Sequence, residues 1–308
     1  MAFVIKQSMN IVKYRWLWYL ISFVLVGSSI AFLAIFGLKQ GIDFAGGSLL
    51  VVRFAGERPS TVDAEKSVAS LNLGGIVIQP VGDTDMSFRL KDMDEEMHQQ
   101  FIRQMKQTYG DITELRFDSI GPVIGQELRS KSIIALIIVF IAILLYIAYA
   151  FRKVSVPIKS WKYGAITAFT AFHDVIVPVG LFALLGKVHG LEIGTSFVAA
   201  VLTVMGFSIH DTIVVLDRVR ENLQRTTGVF ENIVNTSLLQ TIVRSLNTTI
   251  STLLALVAVY FFGGDSIKDF SLALIVGIAT GAYSSIFIAA PLLITWHKFD
   301  LKRKAARK

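Results

Sequence analysis

Residues 205–218 read MGFSIHDTIVVLDR, and residues 238–257 read LLQTIVRSLNTTISTLLALV. Each lies in an apolar run of helical character that carries a charge: Asp211 late in the first, Arg244 at the head of the second. An ionisable group within a membrane span costs about 3 kcal/mol or more unless it is paired or hydrated, so it marks a functional site by default. A carboxylate and a guanidinium on successive helices suggest a protonation switch in a transporter.

The rest of the chain fits that setting. With 53% hydrophobic residues over 308 positions and a mean hydropathy of +0.60, it is too apolar for a soluble protein of ordinary composition. Six runs are long enough to cross about 30 Å of hydrocarbon: Trp16–Gly37, Ser132–Phe151, Gly164–Gly186, Thr195–Leu216, Ser245–Phe262 and Phe270–Trp296. The first shows no signal-peptide cleavage site and reads as a retained span. Cysteine is absent, which removes disulfides and thiolate metal sites.

The net charge of +7 is placed by topology rather than by nucleic-acid binding. Lys6, Lys13 and Arg15 precede the first span, and Arg152, Lys153, Lys159 and Lys162 separate the second from the third. Arg218, Arg220 and Arg225 follow the fourth, and six basic residues lie in the tail 298–308. The alternate short loops hold only Lys187 and Lys268. By the positive-inside rule both termini are cytoplasmic, and the tail reads first as a topology determinant, with contact to anionic lipid or a ribosome as the sharper reading. The expected division is 1–37 for the N-terminus and first span, 38–128 for an extracytoplasmic domain, 129–297 for spans two to six, and 298–308 for the tail.

The extracytoplasmic segment alternates strand and helix signals. SLLVVRF (48–54), GIVIQPV (75–81), MSFRLK (86–91) and ITELRFDSI (112–120) read as strands, the middle two joined by the hairpin signal Gly82-Asp-Thr-Asp85. Ser60 caps a helix running to about Leu71, and Asp92 caps a second through about Thr108, with Met93, Met97, Phe101 and Met105 at a spacing of four. The βαββαβ order predicts an inserted α+β ferredoxin-like domain on a six-helix membrane bundle, a fold that names no function by itself. The acidic cluster Asp92, Asp94, Glu95 and Glu96 reads as a solvated first helical turn rather than a metal site.

Within the spans, polar residues recur at helical spacing. Arg244, Asn247, Thr248, Ser251 and Thr252 share a face with Thr236, Ser237, Gln240 and Thr241. That face is either a hydrated pathway or interhelical hydrogen-bond glue, and Arg244 is either the partner of Asp211 or an anchor reaching for the interface. In the fourth span Thr203, Ser208 and Asp211 fall within one half of the circumference. In the third, His173 and Asp174 lie near the middle, Thr167 and Thr170 share the Asp174 face, and Pro178 frees the Asp174 carbonyl. These groups either pass a proton or form a locally satisfied pair at a kink. His210 is either a relay member or a packing residue. Gly277, Gly281 and Ser284 or Ser285 give the small-residue spacing of close helix packing, within the chain or against a second one.

Several stretches together resemble one family. Gly41-Ile-Asp-Phe-Ala-Gly-Gly47 is similar to the glycine-rich signature of the SecF family, membrane subunits of the bacterial Sec protein-export machinery. Phe172-His-Asp-Val-Ile-Val177, the stretch Gly206–Asn222, Gly263-Gly264 and Phe270-Ser271 continue the likeness in matching order over nearly the whole chain. The resemblance implies a fold of the resistance-nodulation-division type and residence in the bacterial cytoplasmic membrane. It implies work with SecD and the SecYEG channel, in which the proton-motive force assists outward movement of secreted polypeptides. It assigns proton coupling to Asp211 and Arg244, and implies neither catalysis nor any cofactor. The chain departs from the family at His210, where Asn is common, and at Ala45, where Thr is common.

The expected cycle has ionised Asp211 paired with Arg244. A proton breaks the pair, the helices shift, and the external domain swings about a hinge at Gly41, Gly46 and Gly47. His210, Asp174, His173, Asn247, Thr248 and Ser251 are the expected members of a proton pathway. The rival readings are half of an exporter of lipids or small hydrophobic molecules, and a non-transporting assembly scaffold. H-E-x-x-H and G-x-S-x-G motifs are absent, which argues against an intramembrane enzyme.

Overall fold

The computed structural model describes residues 10–307 apart from 72, 74, 151 and 153–157. Lys6, Phe151, Lys153 and Lys308 lie outside the described residues. The contacts divide the chain into a sheet unit, residues 40–134, and a helical unit made of the remainder.

The helical unit opens with α1 (Arg15–Phe36), which ends at Gly37 in a left-handed conformation with φ of 66°. In the sheet unit come a one-turn helix α2 (Ile42–Ala45), strand β1 (Gly47–Phe54), α3 (Thr61–Val68), β2 (Val77–Val81), β3 (Asp85–Leu90), α4 (Glu95–Tyr109) and β4 (Ile112–Ile120). Helix α5 (Pro122–Ala150) follows, then α6 (Ser160–Val188), α7 (Thr195–Arg225), α8 (Phe230–Phe262) and α9 (Asp265–Ser284). A π-helical turn, Ser285–Ala289, joins α9 to α10 (Ala290–Ala305). Among the described residues six helices are long and apolar enough to cross a membrane, the last of them running from Ile267 to Ala305.

The sheet has the order β2-β3-β1-β4 with every neighbouring pair antiparallel. Alternation decides its inner face: Leu50, Val52 and Phe54 of β1 and Met86, Phe88 and Leu90 of β3 are buried. Ala64 and Val68 of α3 and Phe101 and Met105 of α4 cover that face, so the spacing of four in α4 is a packing stripe. Ser60 caps α3, its hydroxyl accepting from the Asp63 amide at 3.1 Å. The cap of α4 differs from the expectation. Asp94, not Asp92, accepts from the Met97 amide at 2.9 Å, because α4 begins only at Glu95. Asp92 instead accepts a hydrogen bond from Ser119 at 3.0 Å.

Gly46 and Gly47 have φ of 75° and 121°. A Cβ on Gly46 would stand 2.7 Å from the Pro122 Cα, and one on Gly47 would stand 2.6 Å from the Leu90 carbonyl oxygen. Gly41 is extended and starts α2. The glycine pair is therefore needed for left-handed backbone and close approach inside the sheet unit. The hinge expected at Gly41, Gly46 and Gly47 falls at this close-packed corner.

In the helical unit α6, α7 and the helix running through α9 and α10 are largely buried, while α1, α5 and α8 present most of their surface outward. Small residues set the crossings. A Cβ on Gly180 would fall 2.3 Å from the Ser29 Cα, so α6 and α1 touch backbone to backbone. Gly277 faces Val204 and Gly281 faces Ser208, which places the small-residue stripe of α9 against α7 of the same chain.

Candidate proton-coupling site

Asp211 is 7% exposed and faces the seam between α8 and the π-helical turn. Its carboxylate accepts from the Ser245 hydroxyl, which stands 2.6 and 2.5 Å from the two oxygens, and from the Ser285 hydroxyl at 2.7 Å. The Ser285 hydroxyl also lies 3.1 Å from the Ala282 carbonyl, so one rotor serves two acceptors. A hydroxyl both donates and accepts. Such a shell can hold Asp211 as a carboxylate or as a carboxylic acid, changing only rotor directions.

The expected Asp211–Arg244 pair is not made. Arg244 is exposed and has no ion pair among the described residues. The reason is rotational. On α8 the buried polar line is Ser237, Thr241, Ser245 and Thr249, at intervals of four. Arg244 precedes Ser245 by one residue, about 100° around the helix. Asn247, Thr248 and Ser251 share the outer position and are exposed, as is His210. Thr248 donates back to the Arg244 carbonyl at 3.0 Å. Thr203 is likewise exposed and bonds to the Ala199 carbonyl at 2.8 Å.

Asp174 is fully buried and forms a second centre. It accepts from Ser284 at 2.5 Å and from Ser208, and its other oxygen lies 2.8 Å from His173 Nδ1. His173 Nε2 is 3.1 Å from the Ser22 hydroxyl of α1. Tyr283 lies 3.5 Å from that hydroxyl and donates to the Trp18 carbonyl at 2.8 Å. Thr167 and Thr170, on the same face, are buried and donate to carbonyls of their own helix. Asp174 and His173 are thus brought together as expected, in a helix that continues through Pro178.

Sequence reasoning missed the serines. Ser284 and Ser285 read as small packing residues, and Ser245 fell outside the stripe drawn through Arg244. The signal was the spacing of four from Ser237 to Thr249. The Ser237 end of that line is interhelical glue: Asn222 of α7 donates to Ser237 at 2.8 Å and to Gln240 at 2.9 Å. Arg218 reaches the same Gln240 oxygen at 2.6 Å.

This arrangement sits in a chain with clear relatives. The family described as Protein export membrane protein SecD/SecF, C-terminal, matches residues 100–299, and the SecD/SecF GG Motif matches residues 31–56. The chain belongs to the SecD/SecF family. Protein translocase subunit SecF of Thermobaculum terrenum is 43% identical, with 96% of each chain covered. The subunit of the same name from Anaerolinea thermophila is 36% identical, with 94% of each covered. Among solved structures, SecDF of Thermus thermophilus, described as a translocon-associated membrane protein, superimposes with a TM-score of 0.83 at 28% identity. A SecDF structure in a super-membrane-facing form gives 0.70 at 29%. The first SecDF match covers 97% of this chain but only 40% of the SecDF chain, so this chain spans less than half of that protein. The GG motif coincides with the close-packed Gly46–Gly47 corner, and the C-terminal SecD/SecF region contains both buried acids.

Proposed function

We propose that this chain serves Sec-dependent protein export as the SecF half of a proton-driven pair, with SecD as the other half and SecYEG as the channel it assists. Asp211 is the group that takes up and releases the proton. The observation carrying this reading is a buried carboxylate in a span, held only by hydroxyls from two neighbouring helices. Those hydroxyls accommodate either protonation state. In the ionised state Ser245 and Ser285 both donate to it and draw α8 and the π-helical turn towards α7. On protonation the Ser285 hydroxyl turns to the Ala282 carbonyl, and the seam loosens. One charge moved through 100 mV supplies about 2.3 kcal/mol, enough to bias two arrangements of modest energy difference.

Arg244 acts at a different surface in this scheme. An arginine with Asn247, Thr248 and Ser251 on the outside of a span is costly against lipid, so this face meets SecD. The likeness to part of a SecDF chain supports SecD as the occupant of that face. The sheet unit is a ferredoxin-like module on the extracytoplasmic side of the bacterial inner membrane, with both chain termini cytoplasmic. The βαββαβ element order and the strand order 2-3-1-4 support the module type. Secreted polypeptides are its cargo, and the work is conformational rather than enzymatic.

The deciding experiment is Asp211→Asn in the complete chain, inserted and assembled with SecD to the parent level. Export assayed in inverted vesicles should lose its dependence on the proton gradient while basal export persists. Full gradient-dependent export by this variant would refute the role of Asp211. A loss of assembly alone would favour the scaffold reading.

A further inference from the structure

The bundle end where α6 begins and α10 finishes contains a cavity of about 600 Å³. Its walls are cationic. Lys159 and Lys162 come from the start of α6, and Arg303, Lys304 and Arg307 from α10 and the turn after it. The single acid in the lining, Asp300, is ion-paired with the buried Lys162. The other four cations make no ion pair among the described residues. Positive charge is thus concentrated in a concave site and left uncompensated.

The same walls are aromatic. Trp161 and Trp296 meet edge to face with ring centroids 5.2 Å apart, and Lys162 Nζ lies 5.0 Å from the Trp296 ring. Trp161 is 56% exposed, and Phe299 of the lining is exposed as well. On the α10 side the lining residues Trp296, Phe299, Asp300, Arg303 and Lys304 fall at i, i+3, i+4, i+7 and i+8, one continuous helix face, and Arg307 follows in the turn after it. That face passes from aromatic to basic where the apolar span ends. Tryptophan marks the membrane–water boundary, and basic pockets between spans at that level suit anionic head groups.

We propose that this cavity binds the phosphate head group of an anionic phospholipid, whose acyl chains run along the adjoining spans. Arg303 and Lys304 hold the phosphate from one wall and Lys159 from the other, while Trp161 and Phe299 pack on the glycerol and upper acyl carbons. The inference is independent of proton coupling, since it uses no residue of the Asp211 or Asp174 centres.

The test uses the full chain in neutral detergent and native mass spectrometry, with dioleoylphosphatidylglycerol, dioleoylphosphatidylcholine or inorganic phosphate added. A single retained phosphatidylglycerol is expected, in preference to phosphatidylcholine and not displaced by an equal concentration of phosphate. R303Q/K304Q should weaken retention by roughly ten- to thirtyfold, from the attraction lost with two basic residues. K13Q/R225Q, which removes equal charge outside the cavity, should change it little. If R303Q/K304Q lowers the melting temperature, K159Q on the opposite wall must show a loss of its own. Equal retention of phosphatidylcholine, displacement by phosphate, or equal loss in the two double variants would overturn the proposal.

Discussion

Ser284 and Ser285 are neighbours on one helix and serve two different buried acids, Ser284 donating to Asp174 at 2.5 Å and Ser285 to Asp211 at 2.7 Å. On the facing helix α7, Ser208 and Asp211 are three residues apart, and Ser208 is the other hydroxyl donor to Asp174. The two acids are therefore bracketed by one helical turn on each side. Ser285 is also the first residue of the π-helical turn. Such single wide turns inside helices are frequent at functional sites. A change at one acid has a short covalent route to the other.

Arg244 gives the sharpest contrast with a buried ion pair. R244Q should leave the unfolding of the isolated chain within about 0.5 kcal/mol, as for an exposed substitution. Recovery of SecD by co-purification should fall instead. A stability loss of about 3 kcal/mol or more in the isolated chain would show that Arg244 is the buried partner of a carboxylate after all.

The close helix crossings separate two glycines that look alike in sequence. Gly180→Ala places a Cβ 2.3 Å from the Ser29 Cα and should destabilise the helical unit by about 1–3 kcal/mol, the usual cost of overpacking. Gly206→Ala meets nothing within 4 Å and should stabilise α7 by about 1 kcal/mol through helix propensity. Thermal unfolding of both variants in one detergent checks the pair, and equal shifts would show that the α1–α6 contact is looser than this crossing.

How much of this was legible follows from what each pattern depends on. The strands and the α4 stripe depend on alternation and on a spacing of four, both local, so Leu50, Val52, Phe101 and Met105 were readable from the chain. The two intramembrane acids were readable as costly charges. The direction of α8 was not. Two polar lines, through Arg244 and through Ser245, lie about 100° apart, and the sequence alone does not say which one a neighbouring helix covers. The cap of α4 slipped from Asp92 to Asp94 because Asp92, Asp94, Glu95 and Glu96 offer several carboxylates within one turn.

Asp85 gives the sheet unit a pH dependence with a definite sign. Its carboxyl is held below the usual carboxylate range first by the hydrogen bonds from Arg53, at 2.7 and 2.8 Å, with a further bond from Thr84 at 2.9 Å. A carboxylate with a depressed folded value contributes stability above its unfolded value of about 3.9 and loses it as pH falls through the folded one. The Arg53 side chain is 54% exposed, so the contribution is at the small end for an ion pair. Hydrogen exchange at the β1–β3 amides of the full chain should accelerate on acidification below about pH 4, and D85N should remove that step. An unchanged acid step in D85N would place its origin elsewhere.

The bracketing of the two acids makes a quantitative claim about D174N and D211N. Each substitution keeps the side-chain shape and replaces a carboxylate oxygen with an amide nitrogen. At each site the amide oxygen goes on accepting, while a hydroxyl or imidazole partner must turn to accept from the new NH2 group. Because Ser284 and Ser285 occupy adjacent positions, reorienting one turn alters the backbone that holds the other. Independent sites would add to within about 0.3–0.5 kcal/mol, whereas sites sharing a network show coupling of roughly 0.5–3 kcal/mol. The double-mutant cycle on unfolding free energy in detergent should therefore depart from additivity by about 1 kcal/mol. A serine control locates the route: in an S284A background, which removes one link, the same cycle should approach additivity. Additivity in the parent chain would mean that the two acids are held by one helix without sensing each other.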